Sequence, residues 1–192
     1  TAGSGKTFYF DDVKFLDANV VPPAPAPSPA PAPAPTPAPA PAPTTVTVTF
    51  DSGDTSGFTL GHPTGGPDYD FGLAGSSIAQ TPPAGASGQV AQVVKSVGAQ
   101  TWAGTTFLQL PAGELITPTS QTATMRVWAP EAGKTVRLKL EDSADPTKTV
   151  ETDATTTVAS GWQTLTFNFA TPASGTNPLN HANTFNKASA FF

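Results

Sequence analysis

Outward-facing aromatic and planar polar side chains alternate with apolar ones along several stretches of this chain, the pattern that a sugar-binding surface requires. Around Met125 the inward set is Ala123, Met125 and Val127, which leaves Thr124, Arg126 and Trp128 facing out. In the next stretch Val136, Leu138 and Leu140 point in, while Arg137, Lys139 and Glu141 point out. Near the end Leu165, Phe167 and Phe169 point in, and Trp162, Thr164, Thr166 and Asn168 share the opposite parity. Aromatic planes stack on the C–H faces of pyranose rings, and planar polar groups bond the hydroxyls. Trp102, Trp128 and Tyr69, with Arg126 or Lys139, are therefore the candidate sugar contacts, with the 61–75 loop bringing Tyr69 and Phe71 to the rim. The competing structural reading is that a loop or a neighbouring module covers each tryptophan.

A second constellation is acidic. Phe8 and Phe10 share one strand parity while Val13 and Phe15 share the other, so the inward phase switches at Asp11-Asp12, as a β-bulge would make it. Two adjacent carboxylates at a bulge can supply a ligand to a hard cation. The alternative is a pair of solvated or locally hydrogen-bonded acids.

Catalytic chemistry finds little support. Glycoside hydrolysis needs two opposed carboxylates, yet Glu114, Glu131, Glu141, Asp142, Asp145, Glu151 and Asp153 sit mainly at strand ends and turns without forming a recognisable pair. No Gly-x-Ser-x-Gly elbow with a histidine partner occurs, and His62 and His181 lie in separate loops. Gly3-Ser4-Gly5-Lys6-Thr7 imitates the end of a phosphate-binding loop, but an aromatic strand follows where a helix is needed.

These residues must be positioned by strands. Val46, Val48 and Phe50 alternate with threonines, and similar signals recur at 89–97, 105–110, 122–128, 135–141, 163–169 and 187–192, separated by Gly- and Pro-rich turns. No stretch holds a helical period with caps. The spacing predicts an all-β fold, a sandwich of two antiparallel sheets.

The 192-residue chain carries a net charge of −5 with 12% charged residues and no cysteine. Nine scattered Lys and Arg give no footprint for nucleic acid or anionic lipid, and no apolar run reaches a membrane span. Without cysteine there is neither a disulfide framework nor a thiolate metal site. Twelve of the 22 prolines lie between Pro22 and Pro43, alternating with alanine as a semi-rigid polyproline II spacer of roughly 70 Å. Such a spacer suits an extracellular or cell-surface modular protein.

The spacer divides the chain into a terminal strand (1–16), a linker (17–44) and a sandwich (45–192) that lacks its last strand. An isolated strand is unstable in water. Phe8, Tyr9, Phe10, Val13 and Phe15 are thus expected to fill the sheet of the preceding module, either within one long chain of repeats or by strand donation between subunits, joining copies head-to-tail into a string or filament.

Four strings resemble a known family: Gly98 to Thr106 (GAQTWAGTT), Met125 to Pro130 (MRVWAP), Lys139 to Asp142 (KLED) and Gly161 to Phe167 (GWQTLTF). They are similar to galactose-binding-like, carbohydrate-binding-module-like jelly-roll repeats of large secreted bacterial proteins, such as those attached to laminarinase-like glycoside hydrolases. In that pattern a Phe-Phe segment, a glycine-rich turn and a Phe-Tyr-Phe-Asp-Asp-Val strand close the module. Here the first part stands at Ala190 to Phe192 and the rest at Thr1 to Phe15, as if the repeat were cut out of phase. The resemblance implies a jelly-roll fold, a polysaccharide ligand such as a β-glucan, and a structural Ca²⁺ for which Asp51 and Asp54 would join Asp11 and Asp12. Two functions stay open: a non-catalytic extracellular repeat that the spacer and terminal strand join into a string or filament, with or without polysaccharide binding, or, as the resemblance favours, a carbohydrate-binding module of a secreted glycoside hydrolase with no fibre-forming role.

Overall fold

The computed structural model of the chain describes residues 5–18, 44–60 and 69–192. Strands form where β-branched and aromatic residues alternate with polar ones, and they pack as two antiparallel sheets face to face. The described residues contain no helix.

One sheet has six strands. Its core path runs β10 (Gly161–Asn168), β7 (Thr122–Ala129), β1 (Lys6–Ala18), β5 (Ala91–Lys95) and β4 (Ala74–Ile78), with β2 (Thr44–Val48) paired to the far half of β1. The other has five, in the order β3 (Asp70–Phe71), β6 (Gly104–Gln109), β11 (Lys187–Phe191), β8 (Thr135–Asp142) and β9 (Asp145–Thr155).

The core lies between the sheets. Phe10 meets Phe50 and Phe107 edge-on at centroid distances of 5.1 and 5.4 Å, and Phe8 stacks on Phe192 at 5.0 Å. Met125, Val127, Leu138, Leu140, Leu165 and Phe167 fill the rest, and the inward parities anticipated for β7, β8 and β10 hold.

β9 has no counterpart in the hydrophobic pattern, because Val150 is its one fully buried apolar residue. Thr152 takes a core-side position instead, and its hydroxyl donates to the carbonyls of Asn168 and Thr171. A buried hydroxyl with two acceptors does the work of an apolar side chain there.

The bulge forms where the phase switch places it. On β7, Val127 to Ala123 is four residues, whereas their β1 partners Phe10 to Phe15 span five. The extra residue falls between Asp11 and Lys14, and Asp12 takes a left-handed φ of 46°.

β1, the strand expected to complete a neighbouring module, pairs in the single chain with β7 on one side and with β5 and β2 on the other, in the middle of the six-stranded sheet. Phe8, Phe10, Val13 and Phe15 point into their own core, while Tyr9 faces outward. Ala18 and Thr44 are cross-strand partners, so the ends of the 19–43 stretch meet. Burying four apolar side chains at about 1.5–3 kcal/mol each outweighs a length-dependent closure cost of about 3 kcal/mol, so β1 is more stable in the slot than free. The expected polyproline II spacer itself falls on 19–43, outside the described residues, and its flanks, residues 17, 18 and 44, belong to β1 and β2.

Candidate functional site

The outer face of the five-stranded sheet carries a groove. Parity puts Arg137, Lys139 and Glu141 of β8 outward, and pairing sets them beside Phe191, Ser189 and Lys187 of β11 on one side. On the other side Arg137 faces Asp153 and Lys139 faces Glu151 of β9. Two adjoining depressions of about 360 and 400 Å³ follow these strands. Trp102, Lys139 and Phe191 line both.

Trp102 stands 57% exposed on the turn before β6. The neighbouring turn is built to receive it. A Cβ at Gly72, which has a φ of 63°, would lie 3.1 Å from Trp102 Cζ3, so only glycine lets the indole edge lie against this backbone. Phe71 stacks with Phe191 at 6.2 Å and 27°, adding a second aromatic wall.

The charged floor is fully paired. The Arg137 guanidinium donates to both Asp153 oxygens at 2.7 and 2.9 Å and to Glu151 Oε2 at 3.0 Å. Lys139 and Lys187 grip opposite oxygens of Glu141 at 2.6 and 2.7 Å. The Asp153 carboxylate raises the Arg137 pKa. Burial alone would raise the Glu141 pKa, but the hydrogen bonds from Lys139 and Lys187 hold it below the usual carboxylate range. Three cations meet three anions, and the floor is neutral.

The other anticipated sugar contacts lie elsewhere. Trp128 and Arg126 are on β7, on the outer face of the six-stranded sheet, so the structure separates them from Trp102 and Lys139. Trp128 sits directly between Trp162 and Tyr9 across three strands, with the Tyr9 ring edge-on at 5.5 Å. Arg126 lies 4.7 Å over the Trp162 ring and donates to the carbonyl of Gly85. A Cβ on Gly85 would come 3.3 Å from Trp162 Cδ1, so the Gly85 turn rests on this face. Tyr69 is half-buried beside β6, its carbonyl accepting the Thr106 N–H at 2.8 Å. Residues 61–68 of its loop, His62 among them, lie outside the described residues. Arg137 and Glu141 of the groove are legible in the β8 parity. Glu151 and Asp153 are not, because the strand that presents them was not.

The four expected calcium ligands divide. Asp54 is committed to the backbone: its oxygens accept the N–H groups of Thr49, Phe50 and Ser56 at 2.5, 3.1 and 2.6 Å. Asp51 Oδ1 accepts the Gln89 N–H at 2.7 Å, and Gly88 is required there because a Cβ would lie 2.3 Å from that oxygen. Asp11 is different. Its Oδ1 is buried without a hydrogen-bond partner, and burial, with the charges of Asp12 and Asp51 adding, pushes its pKa up to about 7 against a backbone hydrogen bond from Asp12. An orphaned, crowded carboxylate suits a hard cation, but among the described residues no three His, Cys, Asp or Glu side chains gather to enclose one. Of the two, Asp11 has a buried oxygen left without a partner, whereas both oxygens of Asp54 are engaged by backbone N–H groups.

Comparison with family models, with curated proteins and with solved structures found no match for this chain.

Proposed function

We propose that this chain is a non-catalytic, extracellular carbohydrate-binding β-sandwich of the jelly-roll type, which takes a neutral polysaccharide along the β8–β11 groove. One observation carries the reading: an exposed indole, Trp102, stands over a floor whose charges are all internally paired. The indole offers a stacking plane, the ion pairs offer oriented donors and acceptors for hydroxyls, and the absence of net charge favours a neutral chain over a polyuronate.

The carboxylates of the groove argue for binding without hydrolysis. A general acid needs a raised pKa, whereas Glu141 is held ionised by two lysines and Asp153 is locked in a bidentate pair. A calcium ion at Asp11, beside Asp12 and Asp51, is a second part of the proposal. It would neutralise the acidic bulge on the opposite sheet and has no part in sugar recognition.

Affinity electrophoresis through gels containing β-glucans and other neutral polysaccharides, with a polyuronate gel for contrast, tests the reading. Retardation by a neutral glycan that Trp102→Ala abolishes is the expected result. Migration unaffected by every neutral glycan would overturn it.

A further inference from the structure

We propose that the slot occupied by β1 also accepts β1 of a second copy, so that copies exchange this strand when they fold together at high concentration. The inference does not depend on sugar binding.

The slot is central and cannot stay empty. Among the described residues, β1 is the sole link between the β10–β7 pair and the β5–β4 pair, and the sole partner of β2. A copy that lacked it would expose the edges of β7, β5 and β2 together with the pockets of four apolar side chains. Every folded copy must therefore hold a β1 from some source.

The slot is also selective. Phe8, Phe10, Val13 and Phe15 are all at most 3% exposed, and their parity changes across the one-residue bulge at Asp12. A strand displaced by one residue would turn those side chains to solvent. A strand without the left-handed residue at the bulge would pair correctly on one side of it only. The sequence that fits both halves is that of β1 itself, which makes a second copy of this chain the partner.

Exchange preserves each of these contacts. What changes is the path of the chain between Ala18 and Thr44, which are partners across the β1–β2 pair and are joined by 25 residues of sequence. A two-residue turn would join such partners and commit β1 to its own chain. A long connection does not. It gives the tethered strand an effective concentration of roughly millimolar at most. A neighbouring copy at comparable concentration competes on equal terms. Because β1 is the middle strand, its release requires opening of the whole sheet, so the distribution is set during folding and persists afterwards.

The pair Lys14 and Thr47 reads out the exchange. They are directly opposed on β1 and β2, and the chain has no cysteine of its own. In the full-length Lys14→Cys, Thr47→Cys double variant, a disulfide lies within one chain in the closed form and links two chains in the exchanged form. Refolding would run from about 10 µM to about 1 mM, spanning the effective concentration of the tether, followed by dilution, oxidation and non-reducing electrophoresis. The expected result is intrachain disulfide at the low end and a rising share of interchain disulfide towards the high end, unchanged by dilution after folding. Mixing two differently tagged copies after folding should give no cross-linked pairs, whereas refolding them together should give them. Monomer with intrachain disulfide at every concentration overturns the proposal, as do oligomers whose disulfides all remain intrachain. If the double variant does not fold, co-purification of two tagged wild-type copies only after joint refolding supports exchange, and its absence counts against it.

Discussion

The outer faces of the two sheets carry the same kinds of residue and treat them in opposite ways. On the six-stranded sheet, Trp162, Trp128 and Tyr9 form a row, but the row is half-buried, and Arg126 ties it to the Gly85 turn through a ring face and a carbonyl. On the five-stranded sheet, Trp102 is propped against a glycine turn and left open above neutral ion pairs. A tryptophan on an outward parity position is thus a support for a turn in one case and a free binding plane in the other. What separates them is the neighbour that reaches over the sheet.

That contrast can be broken by mutation. The largest effect is expected at Trp162→Ala, which removes the platform beneath Arg126 and the Gly85 turn and should cost about 2–3 kcal/mol of stability in denaturant unfolding. Glycan binding should survive it. Trp102→Ala should do the reverse, weakening glycan binding about 30-fold, or about 2 kcal/mol for the loss of a central aromatic anchor, while changing stability by less than about 0.5 kcal/mol. If Trp162→Ala abolished binding and Trp102→Ala left it intact, the two faces would have been assigned the wrong way round.

Glu141→Gln sharpens the description of the groove floor. It leaves Lys139 and Lys187 without their shared carboxylate and gives the groove a net positive charge. Retention by a polyuronate gel should appear and fade as salt is added, with a stability loss on the order of 1 kcal/mol. Unchanged discrimination between neutral and acidic glycans would show that the ion pairs do not set selectivity.

The last prediction concerns pH and the acidic bulge. Asp11, pushed up to about 7, keeps its proton in the folded state through a range where the unfolded chain has lost it, from about pH 4 upward. The folded state binds more protons in that window, so without divalent cations stability falls as pH rises from about 4 to about 7 and stays low above it. Asp11→Asn should flatten this slope in unfolding curves taken at successive pH values. Calcium should restore stability at pH 8 in the natural chain and not in the variant; an equal response in both would remove Asp11 from any calcium site.

Much of this was legible in the residues. Parity is a local property with a period of two, so the inward sets of β7, β8 and β10 follow directly from composition along each strand. The bulge was legible for the same reason, since Phe8-x-Phe10 followed by Val13-x-Phe15 can face one core only if a residue is inserted. β9 was hidden because a threonine stands in for an apolar residue and finds its acceptors on a different strand and loop. The groove was half-hidden with it, since Glu151 and Asp153 come from that strand.

The sequence by itself determined an all-β chain, the register of inward and outward residues, the bulge at Asp11-Asp12, and the stock of aromatic and planar polar groups. Only the tertiary structure decided which outward residues share a face, which tryptophan stays open, and that β1 pairs between β7 and β5 in the middle of the six-stranded sheet. The physical reason is range. Alternation is written residue by residue, whereas sheet membership depends on pairing between segments far apart in the chain.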